Sequence, residues 1–419
     1  MPSILKTHVT SEIGKLEGVI LHFPGPEVEN MTPQNAERAL YSDILNLSVV
    51  QQEYANFKGA IEKHTKVYLV KDLLREVLVY QRAKDTLLDY IFINENPEIP
   101  KGFLLSLSDE ELARQLIEGV ILSADNLTKY LNKERYALRP LHNFFFTRDS
   151  AITIGDKVLI ARMANHVRER ESLIMKTIFD YHPLFRTTTI NPFDISRNPN
   201  RITIEGGDIL VAREDVLLVG LSSRTSSQGI DFILEQVESK EQIRHIIVQE
   251  LPPAPESFIH LDMVFTFLDF DACMVFEPVI LRPNRYQTIH ISVDNGNIRF
   301  KNEENLLVAL NKLGFDLKPI ICGGSKDPWI QEREQWHSGA NFFALAPGKV
   351  IGYGRNTYTI EEMNKHGFEV LPAADVANGT IDVSKYKKYV IALDGSELPR
   401  GGGGARCMTM PVARQTVQW

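Results

Sequence analysis

The sequence predicts a mixed α/β fold in which one supersecondary unit recurs several times around a central axis. Three segments share the order strand, tight turn, strand, loop and helix: residues 149–179, 207–237 and 339–368. Each copy carries an arginine in its loop: Arg168, Arg224 and Arg355. A strand–turn–strand pair in residues 260–279 and the N-terminal segment bring the number of related units to about five. Because such units cannot bury their apolar faces alone, we expect a closed or stacked array of a few blades.

The N-terminal segment predicts a strand, a helix and a second strand. Residues 16–23, LEGVILHF, are rich in apolar and β-branched side chains and end at a Pro-Gly-Pro sequence that stops a strand. Residues 45–62 have helical apolar spacing, and residues 65–70, TKVYLV, alternate as a strand does. This segment therefore supplies one of the related units.

Residues 72–140 interrupt the repeat and predict an all-helical insertion. Apolar side chains recur there at helical intervals, and Ser108 begins the sequence S-D-E-E, which is a capping-box signature for a helix N-terminus. The insertion has no group of residues that is typical of catalysis. We expect residues 1–419 to form one domain, with the insertion inside it.

Composition and charge exclude several classes of function. The 419 residues include 54 acidic and 46 basic side chains, a formal net charge of -8, so the chain has no overall attraction for nucleic acid. No uninterrupted apolar run is long enough to cross a membrane, and the first residues lack a secretory-signal pattern. The three cysteines are too widely spaced for a disulfide framework, which fits a reducing compartment. We therefore expect a cytoplasmic protein with neither a nucleic-acid nor a membrane partner.

Cys407 is the candidate nucleophile. It ends the sequence RGGGGARC, in which four consecutive glycines allow the backbone to approach a ligand closely. The neighbouring Arg406 would favour the thiolate form of the cysteine. The alternative is a small buried apolar residue, which is the usual role of an intracellular cysteine. Cys273 and Cys322 lie in apolar, strand-like runs and are predicted core residues.

Four acid–base candidates accompany the cysteine. His260 and Asp262 are two residues apart, so in a strand both would face one site; a surface pair is the alternative. Glu205 precedes two glycines that permit a tight bend, although a β-bulge with a solvated acid would have the same sequence. Asp149 follows an apolar FFF run, where an ion pair with Arg148 is the alternative role. Repeated units around one axis would bring these positions together at one end.

The same side chains could serve a metal ion or a cationic substrate. Histidine and carboxylates bind divalent ions, but the sequence has no H-x-x-x-H, H-E-x-x-H or paired-cysteine spacing, and it lacks a phosphate-binding loop. We therefore predict no metal and no cofactor. Three carboxylates beside a nucleophile favour a planar guanidinium, which they can hydrogen-bond in several directions while the cysteine attacks its central carbon.

Seven motifs occur in the order and spacing of one known family: FFFTRD, RERES, IEGGDIL, SSRTS, HLDMVFT, GGSKDPWIQEREQWHSGAN and RGGGGARCMTMP. From Ser11 to Arg414 the chain resembles the arginine deiminases of the guanidine-modifying, or pentein, superfamily. The resemblance implies a five-bladed α/β propeller with a helical insertion, which would form a single pentein catalytic domain. It also implies a homo-oligomer that needs no cofactor.

The resemblance further implies a role for each candidate residue. Cys407 corresponds to the nucleophile, and His260 corresponds to the general acid and base. Asp149 and Asp262 correspond to carboxylates that bind the guanidinium, and Glu205 corresponds to a support of the same site. Three further residues resemble those that hold the amino-acid end of the substrate: Asn143, Arg168 and Arg224.

Three positions depart from the family pattern. Gly402 stands where the family has an arginine that helps to bind the substrate carboxylate. The family's pair of aspartates appears here as Ser42-Asp43, and Phe23 stands where the family has a further arginine. These changes concern the end of the site that would receive the carboxylate, and they leave the chemistry of the guanidinium end intact.

The expected reaction is hydrolysis of the guanidinium of L-arginine to L-citrulline and ammonia through a covalent amidino-cysteine. Two alternatives stay open. The first is a related guanidino- or ureido-group enzyme: a citrulline hydrolase, an arginine dihydrolase or an amidinotransferase. The second is a catalytically silent protein that binds L-arginine or a related guanidino compound.

Overall fold

Strands and helices alternate in a computed structural model that describes seven ranges of residues: 4–32, 36–41, 43–131, 134–192, 202–238, 244–294 and 296–419. The N-terminal part contains β1 (Leu5–Lys6), β2 (Leu16–Leu21), α1 (Pro26–Glu29), α2 (Leu47–Glu62) and β3 (Lys66–Leu69). β2 and β3 are parallel, and α2 lies between them in the chain, which confirms the predicted strand–helix–strand order. The side-chain oxygen of Asn46 accepts hydrogen bonds from the backbone N–H groups of Ser48 and Val49 and so caps α2.

The segment that follows β3 is mostly helical, as predicted. It contains α3 (Val70–Leu78), α4 (Gln81–Glu95), α5 (Lys101–Leu105), α6 (Asp109–Glu118) and α7 (Leu127–Leu131). Ser108 caps α6, because its hydroxyl accepts a hydrogen bond of 3.2 Å from the Glu111 N–H. The expectation of an all-helical insertion is wrong in one detail, since β4 (Val120–Ile121) and β5 (Tyr136–Leu138) form an antiparallel pair. This pair returns the chain beside α6, where Val120 and Leu138 join the apolar core of the helices.

Two copies of the predicted repeat follow the insertion. The first contains β6 (Ala151–Ile154), β7 (Lys157–Ile160), α8 (Glu169–Tyr181), β8 (Phe185–Arg186) and β9 (Thr188–Ile190). The second contains β10 (Ile209–Arg213), β11 (Val216–Leu221), α9 (Ser227–Glu238) and β12 (His245–Glu250). In both copies the first two strands are antiparallel, and a helix leads to a strand that is parallel to the second. The order predicted for residues 149–179 and 207–237 is therefore confirmed.

The next part of the chain adds a fourth sheet and extends the third. It contains β13 (Phe265–Asp269), β14 (Ala272–Val275), α10 (Glu277–Ile280), β15 (Thr288–Asp294), β16 (Asn297–Glu303), α11 (Leu306–Lys312), β17 (Lys318–Ile321) and α12 (Pro328–Trp336). β13 and β14 are antiparallel, and β17 is parallel to β14. β15 and β16 leave this unit and continue the sheet of β12.

The C-terminal part contains the third predicted copy and the last strand of the first sheet. Its elements are β18 (Phe343–Ala346), β19 (Lys349–Tyr353), α13 (Thr357–Lys365), β20 (Glu369–Pro372), α14 (Ala373–Asn378), β21 (Tyr389–Leu393) and β22 (Met410–Arg414). β18, β19 and α13 follow the order predicted for residues 339–368. β18 and β19 are antiparallel, and β21 is parallel to β19. β22 pairs antiparallel with β2, so both ends of the chain meet in one sheet.

Five sheets among the described residues thus share one arrangement, in which an antiparallel pair is followed by a strand parallel to its second member. The fold is mixed α/β, as predicted. Large apolar clusters fill the space between sheets and helices, and they include the predicted core residues Cys273 and Cys322. Within the described part of the chain, no helix is both long enough and apolar enough to cross a bilayer.

Candidate active site

The segments that precede β6, β10, β13 and β22 bring five predicted residues into one buried cluster. All five residues are at most 3% exposed: Asp149, Glu205, His260, Asp262 and Cys407. The Sγ atom of Cys407 lies 3.7 Å from Asp262 Oδ2, and the ring of His260 contacts both Glu205 and Asp149. The prediction that equivalent places in successive units meet at one end is confirmed.

The backbone around His260 differs from the prediction. Leu261–Met263 form one turn of 3-10 helix, and His260 caps this turn instead of lying in a strand. The rule that residues two apart in a strand share a face therefore does not apply here. The two side chains reach the cluster separately, since His260 binds Glu205 and Asp262 lies beside Cys407.

His260 carries a positive charge at neutral pH. Its Nε2 atom donates a hydrogen bond of 2.9 Å to Glu205 Oε2, and its Nδ1 atom lies 3.6 Å from Asp149 Oδ1. Burial favours the neutral ring, but the charge of Asp149 and the hydrogen bond to Glu205 outweigh burial and raise the pKa of His260 to about 9. Burial also favours the neutral form of Glu205, but the His260 hydrogen bond and the charge of Arg224 lower its pKa to about 2.

Cys407 is a neutral thiol in this environment. Burial and the charges of Asp262 and Asp149 raise the pKa of the thiol well above its usual value. Arg406 acts in the predicted direction, but its effect is outweighed. Its guanidinium donates a hydrogen bond of 2.8 Å to Asp262 Oδ2, and so it supports a carboxylate beside the sulfur. Formation of the thiolate therefore requires a further positive charge near Cys407.

Asn341 is a member of the cluster that the sequence analysis missed. Its Nδ2 atom donates a hydrogen bond of 3.2 Å to Cys407 Sγ, and its Oδ1 atom accepts one of 2.8 Å from the Arg406 N–H. A Cβ atom at Gly404 would lie 2.6 Å from Asn341, so a glycine is required for this close approach. Asn341 precedes β18 as the other site residues precede their strands. That equivalent position in the third repeat copy was the signal that could have identified it.

Asp149 pairs with Arg168 and not with Arg148. Its Oδ2 atom accepts a hydrogen bond of 2.7 Å from Arg168 Nη1, whereas Arg148 Nη2 donates one of 3.1 Å to Thr409 Oγ1. The alternative role for Asp149, an ion pair with its neighbour in sequence, is therefore wrong. The Oδ1 atom of Asp149 and the Nδ1 atom of His260 are buried and have no hydrogen-bond partner among the described residues. Both atoms belong to residues that line the same cavity as Cys407.

The three residues expected to hold an amino-acid end line the same cavity as the cluster: Asn143, Arg168 and Arg224. Arg168 is buried and also donates a hydrogen bond of 2.8 Å to Glu171. Arg224 Nη1 lies 3.8 Å from Glu205 Oε1 and makes no hydrogen bond to any described residue. Asn143 Nδ2 donates a hydrogen bond of 2.7 Å to the backbone carbonyl of Ala39. The roles of these residues toward a substrate stay predictions.

The cavity has a volume of about 360 Å³, which suits a small molecule. Three residues of the buried cluster line its inner end: Asp149, His260 and Cys407. The following residues are among those that form its mouth: Asp43, Trp336, His337, Arg355, Arg400 and Gly402. Gly402, which departs from the family pattern, and Asp43, the aspartate beside the departure at Ser42, therefore lie at the mouth. Of the other departures, Phe23 packs against an apolar cluster, and Ser42 lies outside the described residues.

One group in the cluster has the geometry of a possible metal site. The ligand atoms of Asp149, Glu205 and His260 lie within 4.8 Å of one another. A divalent cation would compete there with charges that are already paired, because His260 is protonated and Arg168 binds Asp149. The chemistry of these side chains therefore fits an organic cation, which hydrogen-bonds to carboxylates, better than it fits a metal ion.

The arrangement of the repeated sheets recurs in solved structures of known enzymes. The chain is similar in structure to the N-terminal domain of ArgZ, an arginine dihydrolase from cyanobacteria, with a TM-score of 0.52, 12% identity and coverage of 96% of this chain and 98% of that one. It is also similar to SxtG, an amidinotransferase from Microseira wollei, with a TM-score of 0.51, 15% identity and coverage of 99% and 98%. At such identity the likeness concerns the fold alone.

The chain belongs to the arginine deiminase family, because the sequence model of that family matches residues 37–414. It is 33% identical to an arginine deiminase of Bacillus thuringiensis subsp. konkukian, over 98% of this chain and 99% of the relative. It is 32% identical to an arginine deiminase of Oenococcus oeni, over 98% of each chain. The resemblance that the seven motifs indicated is confirmed.

Proposed function

We propose that this protein is an arginine deiminase, which hydrolyses L-arginine to L-citrulline and ammonia. It is an enzyme that cleaves a C–N bond of a linear amidine. The observation that carries the proposal is the buried cluster that contains a protonated His260, three carboxylates and the Cys407 thiol, with Asp262 in contact with the sulfur. Family membership over nearly the whole chain supports the same activity.

The substrate guanidinium would bind between Asp149 and Asp262. Both carboxylates lie beside Cys407 in the buried cluster, and charged hydrogen bonds to a guanidinium are strong where water is excluded. The same carboxylates raise the pKa of the thiol, so a bound cation offsets their effect and lowers that pKa again. The substrate itself thus promotes loss of the thiol proton to solvent, and the thiolate forms where it is needed.

The first half of the reaction replaces a C–N bond by a C–S bond. The Cys407 thiolate attacks the central carbon of the guanidinium, and a tetrahedral adduct forms. His260 holds its ring in place by donating from Nε2 to Glu205, which leaves the Nδ1 proton for the departing nitrogen. Ammonia leaves, and an amidino group remains on the sulfur.

The second half hydrolyses this intermediate. His260 has given up its Nδ1 proton and can now accept one from a water molecule, which attacks the amidino carbon. The C–S bond then breaks, the ureido product leaves and the Cys407 thiolate is restored. Asn341 Nδ2, which donates to the sulfur, favours the thiolate as the leaving group.

We further propose that the five sheets close into a five-bladed propeller, with residues 72–140 as an insertion in a single domain of residues 1–419. The equivalent placement of the site residues before an edge strand of each of the five sheets supports this arrangement. A cytoplasmic homo-oligomer that acts on a small guanidino compound completes the proposal. The three free cysteines are consistent with a reducing compartment.

Product analysis of the purified protein with L-arginine tests the proposed reaction. We expect equal amounts of citrulline and ammonia, and we expect Cys407→Ala to lower kcat at least about 10,000-fold, because the covalent intermediate cannot form. Cys322→Ala is a matched control, since this cysteine is buried in an apolar cluster away from the cavity, and it should retain turnover. Ornithine as a product would identify a dihydrolase or citrulline hydrolase instead. Arginine binding without ammonia release would identify a silent binding protein.

A further inference from the structure

The third repeat copy carries an arginine that the proposed mechanism does not use. Arg355 follows β19 as Arg224 follows β11, so the two residues occupy equivalent loops. Both line the cavity that leads to Cys407. Arg224 lies toward the buried cluster, whereas Arg355 is exposed at the mouth.

The cavity arginines differ in how their charges are compensated. Arg168 pairs with Asp149 and Glu171 at the inner end. Arg400 at the mouth pairs with two acidic side chains, one of them Asp43. These two guanidinium groups have little capacity left for another anion.

Arg355 has no such compensation. Its Nη1 donates a hydrogen bond of 2.8 Å to the carbonyl of Gly395, and its Nη2 lies 3.5 Å from His337 Nε2. Burial and the charge of Arg355 lower the pKa of His337, so the ring beside this guanidinium is neutral at pH 7. Within the described part of the chain, no carboxylate forms an ion pair with Arg355. The guanidinium therefore presents an unpaired charge to the cavity.

The backbone that carries Arg355 is fixed to the loop that carries the nucleophile. Tyr353 donates a hydrogen bond of 3.0 Å to the Gly403 carbonyl, and Asn356 donates one of 3.0 Å to the His337 carbonyl. Gly402 lines the same cavity, and a Cβ atom there would have no neighbour within 4 Å. The cavity of about 360 Å³ has room for an anionic group beside Arg355, which is one of its lining residues.

We propose that Arg355 is a specificity-determining residue that binds the carboxylate of the substrate. Arg224 lines the same cavity, and its Nη1 atom has no hydrogen-bond partner among the described residues. The two arginines together select guanidino compounds that carry a carboxylate at the end opposite the guanidinium. Guanidino compounds without that carboxylate are disfavoured. This inference rests on the proposed function, since it assigns the far end of the same substrate.

Steady-state kinetics of Arg355→Gln with L-arginine tests the assignment. We expect KM to rise at least about tenfold with kcat within about threefold, because a charged hydrogen bond is lost away from the reacting atoms. Arg355→Lys should recover part of the lost affinity, since it restores the charge. Arg333→Gln is the matched control, because this exposed arginine lies near His337 but does not line the cavity. It should leave KM within about twofold.

Inhibition by agmatine, which has the guanidinium but no carboxylate, separates recognition from a merely structural role. Its inhibition constant should be the same in wild type and Arg355→Gln. Equal weakening of agmatine and L-arginine, an unchanged KM, or no recovery by lysine would each overturn the proposal. Failure of the proposed function looks different, because the wild type would then release no citrulline. In that case the affinity of Cys407→Ala for L-arginine, with and without Arg355→Gln, decides the assignment by calorimetry.

Discussion

The two ends of the cavity are built in different ways. At the inner end, Asp149, His260 and Cys407 are almost fully buried, and each arrives on a segment that precedes an edge strand of a different sheet. At the mouth, Arg355 and Trp336 are exposed, and their neighbours are loops and helix ends. The inner end is therefore positioned by the repeated architecture itself, whereas the mouth depends on local contacts between loops.

This difference has a chemical consequence. Every charge at the inner end changes the pKa of another, as His260 and Glu205 show, so a substitution there alters several groups together. The pair of Asp43 and Arg400 at the mouth is open to solvent, where ion pairs contribute little energy. We therefore expect the reaction to be decided at the inner end and the choice of substrate at the mouth.

Removal of one charge from each end gives the largest contrast. Asp149→Asn keeps the shape of the side chain but removes a buried charge that faces the guanidinium, and we expect kcat/KM to fall about 1,000-fold. Asp43→Asn removes an exposed charge that binds Arg400 and should change kcat/KM less than about fivefold. Steady-state kinetics of both variants with L-arginine provides the comparison. Similar losses in the two variants would contradict the division of roles.

The charge of His260 also makes the stability of the protein depend on pH. Asp149 and Glu205 raise the pKa of His260 from 6.5 to about 9, so its stabilising contribution is complete below pH 6.5 and is lost as the pH rises through 9. We expect the free energy of unfolding to decrease by about 3 kcal/mol across this range. The wild type minus His260→Gln difference in urea unfolding, measured between pH 6.5 and 9.5, isolates the effect. A difference that does not change with pH would show that His260 is neutral in the folded protein.

The sequence predicted the inner end better than the mouth. Repeated hydrophobic patterns located the strands, and the motifs around Asp149, His260 and Cys407 stand directly before them, so their convergence followed from the fold. Asn341 was missed because an amide carries no charge, and its contact with the sulfur joins segments that are distant in sequence. The net shift in the pKa of the thiol could not be predicted either. Burial and the charge of Asp262 outweigh Arg406, and Asp262 reaches the cluster through a 3-10 turn and not through a strand.

The loop of residues 396–401 at the mouth is fixed by hydrogen bonds to α2, a helix that does not line the cavity. Glu53 of α2 is 4% exposed, and its carboxylate accepts hydrogen bonds of 2.6 Å from the Ser396 N–H and 2.9 Å from the Leu398 N–H. It also accepts a bond of 2.5 Å from the Ser396 hydroxyl. These contacts cap the 3-10 turn Leu398–Gly401, which no side chain of its own caps. The position of the mouth therefore depends on a carboxylate that touches no substrate.

Glu53→Gln should consequently affect the mouth alone, and by less than the inner substitutions. The amide replaces one acceptor by a donor among backbone N–H groups, so we expect a loss of about 1–3 kcal/mol in the free energy of unfolding. We also expect a severalfold rise in KM at nearly constant kcat. Glu62→Gln is the matched control on the same helix, since Glu62 makes an exposed pair with Lys58 and should cost at most about 0.5 kcal/mol. A fall in kcat for Glu53→Gln as large as that of Asp149→Asn would contradict this division, because it would show that the structure of the mouth also determines the rate of the reaction.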